Sequence, residues 1–262
     1  MTRKGDKKIN AGQAKGRKIP QKPTAKKQAP RTRRQRALRA AMSITLVLLI
    51  FPIVWVMSYW IINPPTNYYM IRESLRLGGI DRNWRDIEEM SPHLPRAAMA
   101  AEDANFCDHW GFDLEAIEKA LQANEKGRRL RGGSTITQQV AKNTFLWPER
   151  SWTRKGLEAG FTVLLEALWS KRRIIEIYLN VAEFDEGVFG VQAASQHYFR
   201  KDASDLTAIE AARLAAVLPN PKERSASRPG NWTRRRAASI AGGAETLRLD
   251  ARAECVSVSQ GT

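Results

Sequence analysis

The sequence predicts a mainly α-helical domain that is preceded by one membrane-spanning helix. The first observation is an uncharged, apolar run over residues 40–62. The second is that apolar residues after Ser91 recur at the three- and four-residue spacing of helices that bury one face. The third is that alternating strand patterns are sparse and no internal repeat is present. The 262 residues suffice for one domain with accessory segments.

The charge of the chain is concentrated at its N-terminus. The formal net charge is +16, but residues 1–39 hold fifteen of the 43 Lys and Arg residues and a single Asp. The rest of the chain is therefore nearly neutral. The tail over residues 1–39 has too few apolar residues to form a core, so we expect it to be disordered. Nucleic-acid binding is disfavoured because the basic residues precede a membrane helix and the remainder has no basic face.

The run over residues 40–62 is long enough to cross a membrane. A helix rises about 1.5 Å per residue, so the run can cross a hydrocarbon core of about 30 Å. Pro52 is tolerated in such a helix, and Trp55 and Trp60 lie where an interfacial aromatic belt forms. A cleaved signal peptide and a buried helix of a soluble protein are the alternatives. The length of the run, the lack of a small-residue cleavage motif and the one-sided charge favour a retained anchor.

The basic tail also predicts the orientation of this anchor. Because Lys and Arg are retained on the cytoplasmic side, residues 1–39 are expected in the cytoplasm and the chain after Asn63 outside. Residues 63–83 are then a juxtamembrane linker. A helix within residues 68–90 is left open.

Two helices are predicted in the middle of the chain. The segment Thr153–Ser170 has an apolar stripe and brings Arg154 within reach of Glu158, one turn later. The helical pattern continues over Lys171–Asn180. The residues expected to face inward are Leu157, Phe161, Leu164, Leu165, Leu168, Ile174, Ile175, Tyr178 and Leu179.

Further helices follow a break at residues 185–187. The helical pattern resumes over Gly190–Phe199. Thr207 and Glu210 then form a capping box before an alanine-rich helix. That helix is expected to stop at residues 219–221, which contain two prolines.

A first polar cluster begins at Glu102. Glu102 and Asp103 follow an alanine-rich helical pattern and precede Phe106 and Trp110. A carboxylate beside aromatic rings is partly desolvated, as acid–base catalysis often requires. An exposed acidic pair at a helix end is the alternative for this doublet alone. His109 is expected to hold the loop by a hydrogen bond rather than to bind a metal, since the chain has only three His and no metal-binding spacing.

A second polar cluster runs from Gly132 to Asn143. Its glycines let backbone N–H groups approach an anion, and its hydroxyl groups can donate to phosphate oxygens. It is not a Walker loop because no Gly-Lys-Ser/Thr ending follows, and a simple turn is the alternative for its first four residues. The residues of this cluster are Gly132, Gly133, Ser134, Thr135, Gln138, Gln139, Lys142 and Asn143.

Two more polar clusters lie on the predicted helices. Arg154, Lys155 and Glu158 share one helix surface. A solvated ion pair worth about 0.3–0.5 kcal/mol is the alternative to a functional site there. The fourth cluster consists of Lys171, Glu176 and Asn180, and much of its segment is expected to be architectural.

In this order and at these spacings, the four clusters resemble the peptidoglycan glycosyltransferases, and in particular the monofunctional biosynthetic peptidoglycan transglycosylases. The resemblance covers roughly Trp84 to Pro221 and implies a lysozyme-like domain at residues 84–223. It implies that Glu102 is the general base and that Glu158 is the second functional carboxylate. The substrate-binding residues that it implies are Asp103, Phe106, His109, Gly133, Ser134, Thr135, Gln138, Gln139, Lys142, Asn143, Arg154 and Lys155.

The resemblance also implies the reaction and its setting. The growing lipid-linked glycan chain is transferred with inversion onto the 4-hydroxyl of lipid II, and undecaprenyl diphosphate is released. The sequence requires no cofactor, and stimulation by Mg²⁺ or Mn²⁺ is left open. The implied partners are lipid II, the lipid-linked chain, membrane lipids and other cell-wall synthesis proteins, but no nucleic acid. The implied location is a bacterial inner membrane, with the catalytic domain in the periplasm.

Two other functions are weighed against this one. A lytic glycosidase of related fold would cut glycan strands, but the second and third clusters favour a diphosphate substrate. A non-enzymatic wall- or membrane-binding protein would not need Glu102. A penicillin-binding transpeptidase domain is disfavoured, because no Ser-x-x-Lys follows the membrane helix and no Lys-Thr-Gly is present.

The C-terminal extension, residues 224–262, has no assigned role. It is basic at first and helix-like around Gly243–Arg252. It contains Cys255, which with Cys107 makes up the two cysteines of the chain. In an oxidising compartment these could form a disulfide that ties the extension to the loop after Glu102, or both could stay free.

Overall fold

The computed structural model describes residues 33–125 and 133–257. Gly132 and the first 32 residues of the predicted basic tail therefore lie outside the described residues. The chain divides into a short unit up to Leu46 and a larger unit that begins at Val47. Apart from the first part of helix α1, all of the structure described below belongs to the larger unit.

Helix α1 (Arg33–Ile61) contains the predicted membrane segment. It has 29 residues and a mean hydropathy of 2.4 in its apolar window, so it is long and apolar enough to cross a membrane. The helix includes residues 33–39, so the prediction that these residues are unfolded was wrong. Arg, Ala and Leu are good helix formers, and a helix nucleated by the apolar segment extends into them readily.

The larger unit is mainly α-helical, which confirms the predicted fold class. The described helices that follow α1 are α2 (Tyr68–Leu77), α3 (His93–Glu102), α4 (Leu114–Glu125), α5 (Ile136–Phe145), α6 (Trp152–Leu168), α7 (Lys171–Val181), α8 (Val191–Phe199), α9 (Ala208–Val217) and α10 (Asn231–Leu249). Short 3₁₀ turns lie at Ile87–Glu89, Ala203–Asp205 and Glu254–Val256. Helix α2 falls in the stretch whose helix was left open, and the predicted capping box of Thr207 and Glu210 begins α9.

Helices α6 and α7 are separated by an extended residue, Trp169. The Ser170 hydroxyl then accepts a hydrogen bond from the Arg173 amide and starts α7. The predicted inward residues of α7 are all buried. On α6 the prediction was wrong for Leu157, which is 44% exposed, because Arg154 and Glu158 occupy the buried face at that end of the helix.

A small three-stranded sheet replaces the predicted break at residues 185–187. Strand β2 (Glu183–Asp185) turns back through Gly187, at φ 73°, into β3 (Val188–Phe189). Strand β1 (Asp81–Arg82) pairs in parallel with the other edge of β3, so the strand order is β1-β3-β2. Strands of two or three residues leave no alternating pattern to detect.

The core joins two groups of helices. Helix α3 packs on α9 and α10, and α5 packs on α6 and α7. Helix α10 begins twelve residues before the predicted helix-like stretch at Gly243–Arg252 and ends at Leu249, so both predicted bounds were wrong. Its buried residues, Thr233, Ala237, Ile240 and Leu247, are few and mostly small, which weakens the helical pattern.

Cys107 and Cys255 form a disulfide across a sequence separation of 148 residues. Of the two alternatives left open by the sequence, the paired one is therefore correct. The bridge connects the loop after α3 to the last described turn of the chain.

Candidate active site

The predicted general base, Glu102, is the last residue of α3. Its side chain is half-buried, and Oε2 accepts a hydrogen bond of 2.8 Å from Nε2 of Gln139 on α5. Gln139 therefore holds the carboxylate toward α5 and leaves its other oxygen without a partner among the described residues. An accessible carboxylate oxygen on a rigid helix is what a general base requires.

The adjacent Asp103 has a different role. It leaves the helix with φ −160° and ψ 77°, and its side chain is almost fully buried. Oδ1 accepts a hydrogen bond of 2.9 Å from His109 Nε2, and Oδ2 accepts one of 3.0 Å from the Ile136 amide. Asp103 thus ties the loop over residues 103–113 to the start of α5.

The rest of this loop is also held from several sides. Phe106 is fully buried, and the Lys171 ammonium lies 4.6 Å from the centre of its ring. Lys171 also donates to the carbonyl oxygen of His109 at 2.7 Å. Gly111 has φ 80°, and a Cβ there would lie 2.7 Å from Thr162 Cγ2. The turn therefore needs glycine at this position, both because φ is positive and because there is no space for a Cβ.

Helix α5 begins with a capping box. The Thr135 hydroxyl accepts from the Gln138 amide, and the Gln138 side chain accepts from the Thr135 amide at 3.0 Å. The Thr135 hydroxyl also donates to the Gly111 carbonyl at 2.7 Å, which joins the helix to the loop. One turn later, Lys142 and Asn143 extend from the cleft side of the helix.

Helix α6 carries the predicted second carboxylate, Glu158. Its side chain is 4% exposed, and it accepts a hydrogen bond of 2.7 Å from Arg154 Nη1 and another from Lys155 Nζ. The Arg154 pair is buried, whereas Lys155 is half exposed. The predicted i, i+4 pair is therefore present, but it lies inside the protein rather than on a solvated surface.

The polar residues of α5 and α6 line one cavity of about 380 Å³. Its described lining is Ser134, Gln138, Gln139, Lys142, Pro148, Arg150, Arg154, Lys155 and Glu158. A second cavity of about 160 Å³ adjoins it and shares Gln139 and Lys142. Gln139 and Lys142 therefore stand where the two cavities meet, beside Glu102.

Lys142 lines this cleft without a direct partner for its charge within residues 33–125 and 133–257. No hydrogen bond or ion pair joins its ammonium to another described residue. Burial lowers the pKa of Lys142 from the usual 10.5, and Arg154 and Lys155 lower it further, while Glu158 and Glu102 act in the opposite direction. Arg154 Nε is likewise buried without a partner in the described part of the chain. Unpaired buried donors of this kind indicate an anionic ligand.

The predicted site residues therefore divide into two sets. Those that line the cleft or its rim are Glu102, Ser134, Gln138, Gln139, Lys142, Asn143, Arg154, Lys155 and Glu158. Asp103, Phe106, Thr135 and His109 were predicted to bind substrate, but their side chains are turned to the loop and to α5 and are almost fully or wholly buried. Gly133 is half-buried at the entry to α5. In this structure the four buried side chains support the loop and α5, and their predicted contact with substrate stays a prediction.

Tyr69 and Glu183 are among the lining residues of the second cavity that were not predicted. Tyr69 on α2 donates a hydrogen bond of 2.8 Å to Glu183 on β2, across 114 residues of sequence. Burial raises the pKa of Glu183, while the Tyr69 hydroxyl opposes that rise. No local pattern marks either residue, because the pair exists only once the sheet and α2 have come together.

A metal site in a protein requires several ligating side chains close together. Among the described residues, no group of three or more His, Cys, Asp or Glu side chains could hold a metal ion. The carboxylate oxygens of Glu158 are already engaged by Arg154 and Lys155. Positive charge in the described part of the cleft comes from Lys142, Arg150, Arg154 and Lys155.

A cleft lined by cationic side chains and adjoined by one accessible carboxylate, built on a mainly α domain, fits an enzyme that acts on a negatively charged substrate. A family model described as Transglycosylase matches residues 71–243. The chain belongs to this transglycosylase family.

Three curated relatives support the assignment. Each has the name biosynthetic peptidoglycan transglycosylase. The protein of Jannaschia sp. (strain CCS1) is 49% identical over 236 residues, which cover 88% of this chain and 97% of the relative. That of Caulobacter vibrioides is 47% identical, with coverages of 82% and 94%. That of Xanthomonas campestris pv. campestris (strain B100) is 48% identical, with coverages of 82% and 90%.

Proposed function

We propose that the protein polymerises the glycan strands of peptidoglycan, using lipid II as acceptor and the lipid-linked growing chain as donor. The observation that carries the proposal is the arrangement of the cleft. Glu102 offers a free carboxylate oxygen, and next to it Lys142, Arg154 and Lys155 surround a single buried carboxylate, Glu158. A base thus adjoins a net positive site that fits a diphosphate. Family membership and the names of the relatives agree with this substrate class.

The reaction follows from these groups. Glu102 accepts the proton of the lipid II 4-hydroxyl as that oxygen attacks the anomeric carbon of the donor. The bond from that carbon to the phosphate oxygen breaks on the opposite face, so the configuration inverts and a β-1,4 bond forms. The electron pair leaves with the lipid diphosphate. Gln139, which donates to Glu102, orients the carboxylate for the transfer.

The cations take the place of a general acid. A diphosphate leaves as an anion, so it needs positive charge and hydrogen-bond donors rather than a proton. Lys142 and the unpaired Nε of Arg154 supply these donors from within a buried wall. Removing one such donor from a preorganised site typically lowers the rate by about 10²–10³-fold.

The end of α1 suits a lipid-linked substrate. Trp55 packs against Phe145 of α5, with ring centres 5.1 Å apart, and Trp169 Nε1 donates to the Val56 carbonyl at 3.0 Å. We infer that α1 anchors the enzyme in the bacterial inner membrane with its N-terminus in the cytoplasm. The cleft helices α5 and α6 then stand close to the bilayer that supplies the substrate.

The experiment uses the full-length protein in detergent with purified lipid II, and separately with finished glycan strands. Polymer from lipid II is expected, with no fragments from finished glycan. Fragments alone would favour the lytic glycosidase. The Glu102→Gln variant, folded by circular dichroism, is expected to lose polymerisation, because an amide cannot accept the proton.

Two controls complete the experiment. Polymerisation by Glu102→Gln at the parent rate would refute the proposed base, whereas the absence of polymer from the parent protein would favour the non-enzymatic alternative. Parallel reactions with EDTA, Mg²⁺ or Mn²⁺ test the metal. Because the cleft supplies its own cations, we expect activity to persist in EDTA and metal to be stimulatory at most.

A further inference from the structure

The C-terminal part of the chain packs directly against the helix and loop that carry the proposed base. Helix α10 lies along α3, and Gly243 allows the close approach, because a Cβ there would lie 3.3 Å from the Cβ of Ala100. After α10 the chain turns and buries Ala253 and Val256 in the same core. The segment over residues 231–257 is called the C-terminal clamp below.

The first link of the clamp is at the end of α3. Arg236 on α10 donates a hydrogen bond of 2.8 Å to the carbonyl of Ala101, the residue before Glu102. The last carbonyl groups of a helix have no partner within the helix, and a cation is favourable there. Arg236 therefore caps α3 at the point where it presents Glu102.

The second link is Arg252, which contacts the loop itself. Its Nη2 donates to the Ala104 carbonyl at 3.2 Å and to Asn105 Oδ1 at 2.5 Å. The Asn105 amide donates in turn to Asp113, which caps the first turn of α4. Arg252 also lies 3.8 Å from the exposed carboxylate of Asp108. One guanidinium thus engages both halves of the loop.

The third link is the Cys107–Cys255 disulfide, which fixes the chain three residues after Arg252 to the middle of the same loop. The bridge holds Arg252 next to its acceptors and so reduces the conformational freedom that it would lose on binding them. On the cleft side, the loop is held by Asp103 and Lys171. The Thr135 hydroxyl also holds the loop by donating to the Gly111 carbonyl at 2.7 Å.

We propose that Arg252, held in place by the Cys107–Cys255 bridge, is a positioning residue for the transfer reaction. It fixes the loop that follows Glu102 and thereby keeps the carboxylate aimed at Gln139 and the acceptor hydroxyl. The proposal rests on the proposed role of Glu102. Arg252 is not among the residues that line the two cleft cavities, so it acts on turnover rather than on substrate affinity.

The test compares Arg252→Ala, Arg252→Lys and the double variant Cys107→Ser/Cys255→Ser in the full-length protein, with lipid II polymerisation as the readout. A misplacement of about 1 Å can cost about 10²-fold. We therefore expect kcat to fall about ten- to hundredfold in Arg252→Ala, with KM for lipid II within about twofold of the parent. Arg252→Lys, which retains one donor and the charge, should recover part of the rate.

Two further measurements separate positioning from general stability. Amide hydrogen exchange should accelerate over residues 103–110 in Arg252→Ala and stay unchanged in α5 and α6. The matched control is Arg248→Ala; within the described part of the chain, the exposed guanidinium of Arg248 pairs with Glu245 on the same helix and with no other side chain. It should change neither kcat nor exchange in the loop.

Reduction by dithiothreitol tests the role of the bridge without any substitution, since the chain has only two cysteines. It should lower the kcat of the parent to the level of the double Ser variant and leave that variant unaffected. An unchanged kcat in Arg252→Ala and in the reduced parent would overturn the proposal, as would a loss confined to KM. Polymerisation at the parent rate in Glu102→Gln would instead refute the proposed role of Glu102, and the absence of polymer from the parent would refute the proposed function; in both cases the exchange data would still report on the clamp.

Discussion

The first prediction is that replacing Lys142 lowers the polymerisation activity and raises the thermal stability of the protein. In Lys142→Met the substituted side chain keeps much of the apolar stem but lacks the charge. A hydrogen bond between an ammonium and a phosphate contributes about 1.5–3 kcal/mol, so kcat/KM should fall about 10- to 150-fold. The half-buried side chain has no hydrogen-bond or ion-pair partner among the described residues. Removal of its charge should therefore raise the melting temperature, because no desolvation cost remains.

The pH dependence of stability and of activity tests the same prediction. Burial lowers the pKa of Lys142 below its usual 10.5, so the unfolded chain binds this proton more tightly than the folded chain does. The parent should therefore gain stability as the pH rises through the folded pKa toward 10.5, and Lys142→Met should lack this gain. The activity of the parent should decline at alkaline pH, and the midpoint of the decline should lie below the usual lysine pKa of 10.5.

The assay combines lipid II polymerisation across pH with thermal unfolding. Lys142→Arg stays charged throughout, so its alkaline decline should move to higher pH even if its rate is lower. The matched control is Lys119→Met, since Lys119 is exposed on α4 and pairs with Glu115. A Lys142→Met protein that is less stable than the parent and polymerises at the parent rate would refute the reasoning.

Two other substitutions test residues that support the cleft. In Gly111→Ala the new Cβ meets Thr162 at 2.7 Å, and a non-glycine residue at φ 80° adds about 1–3 kcal/mol of strain, so urea unfolding should show a lower midpoint. An unchanged midpoint would mean that the loop takes another path. In Glu158→Ala the buried Arg154 loses its partner, which typically costs about 3–5 kcal/mol, and polymerisation should fall with it. A Glu158→Ala protein with parental stability and activity would show that the pair is dispensable.

The parts of the site that the sequence predicts are those that lie close together along the chain. The second cluster runs from the residues before α5 into that helix, and the third falls on the N-terminal half of α6; on a helix, residues three and four apart share a face. Lys142 therefore follows Gln139 at three residues, and Glu158 follows Arg154 at four. Helical spacing alone suffices to place each set on one side of its helix.

The parts that the sequence does not predict depend on distant segments. Tyr69 meets Glu183 across 114 residues, and Cys107 meets Cys255 across 148. Leu157 was expected inside on periodicity, but the buried ion pair beside it takes that face. Apolar periodicity assumes that charges face the solvent, and this assumption fails where a helix buries charges for a ligand.

Glu102 and Asp103 show why residue type alone does not predict which of two neighbouring carboxylates faces the cleft and which one supports the loop. The two carboxylates are neighbours, yet α3 ends between them. Glu102 keeps the helical direction and faces Gln139, whereas Asp103 turns away and accepts the Ile136 amide. The end of α3 is fixed by contacts that come from α5, from the loop through His109, and from Arg236 on α10. The direction of the proposed base is therefore a property of the tertiary structure, and substitutions that shift the end of α3 should impair turnover without touching the cleft.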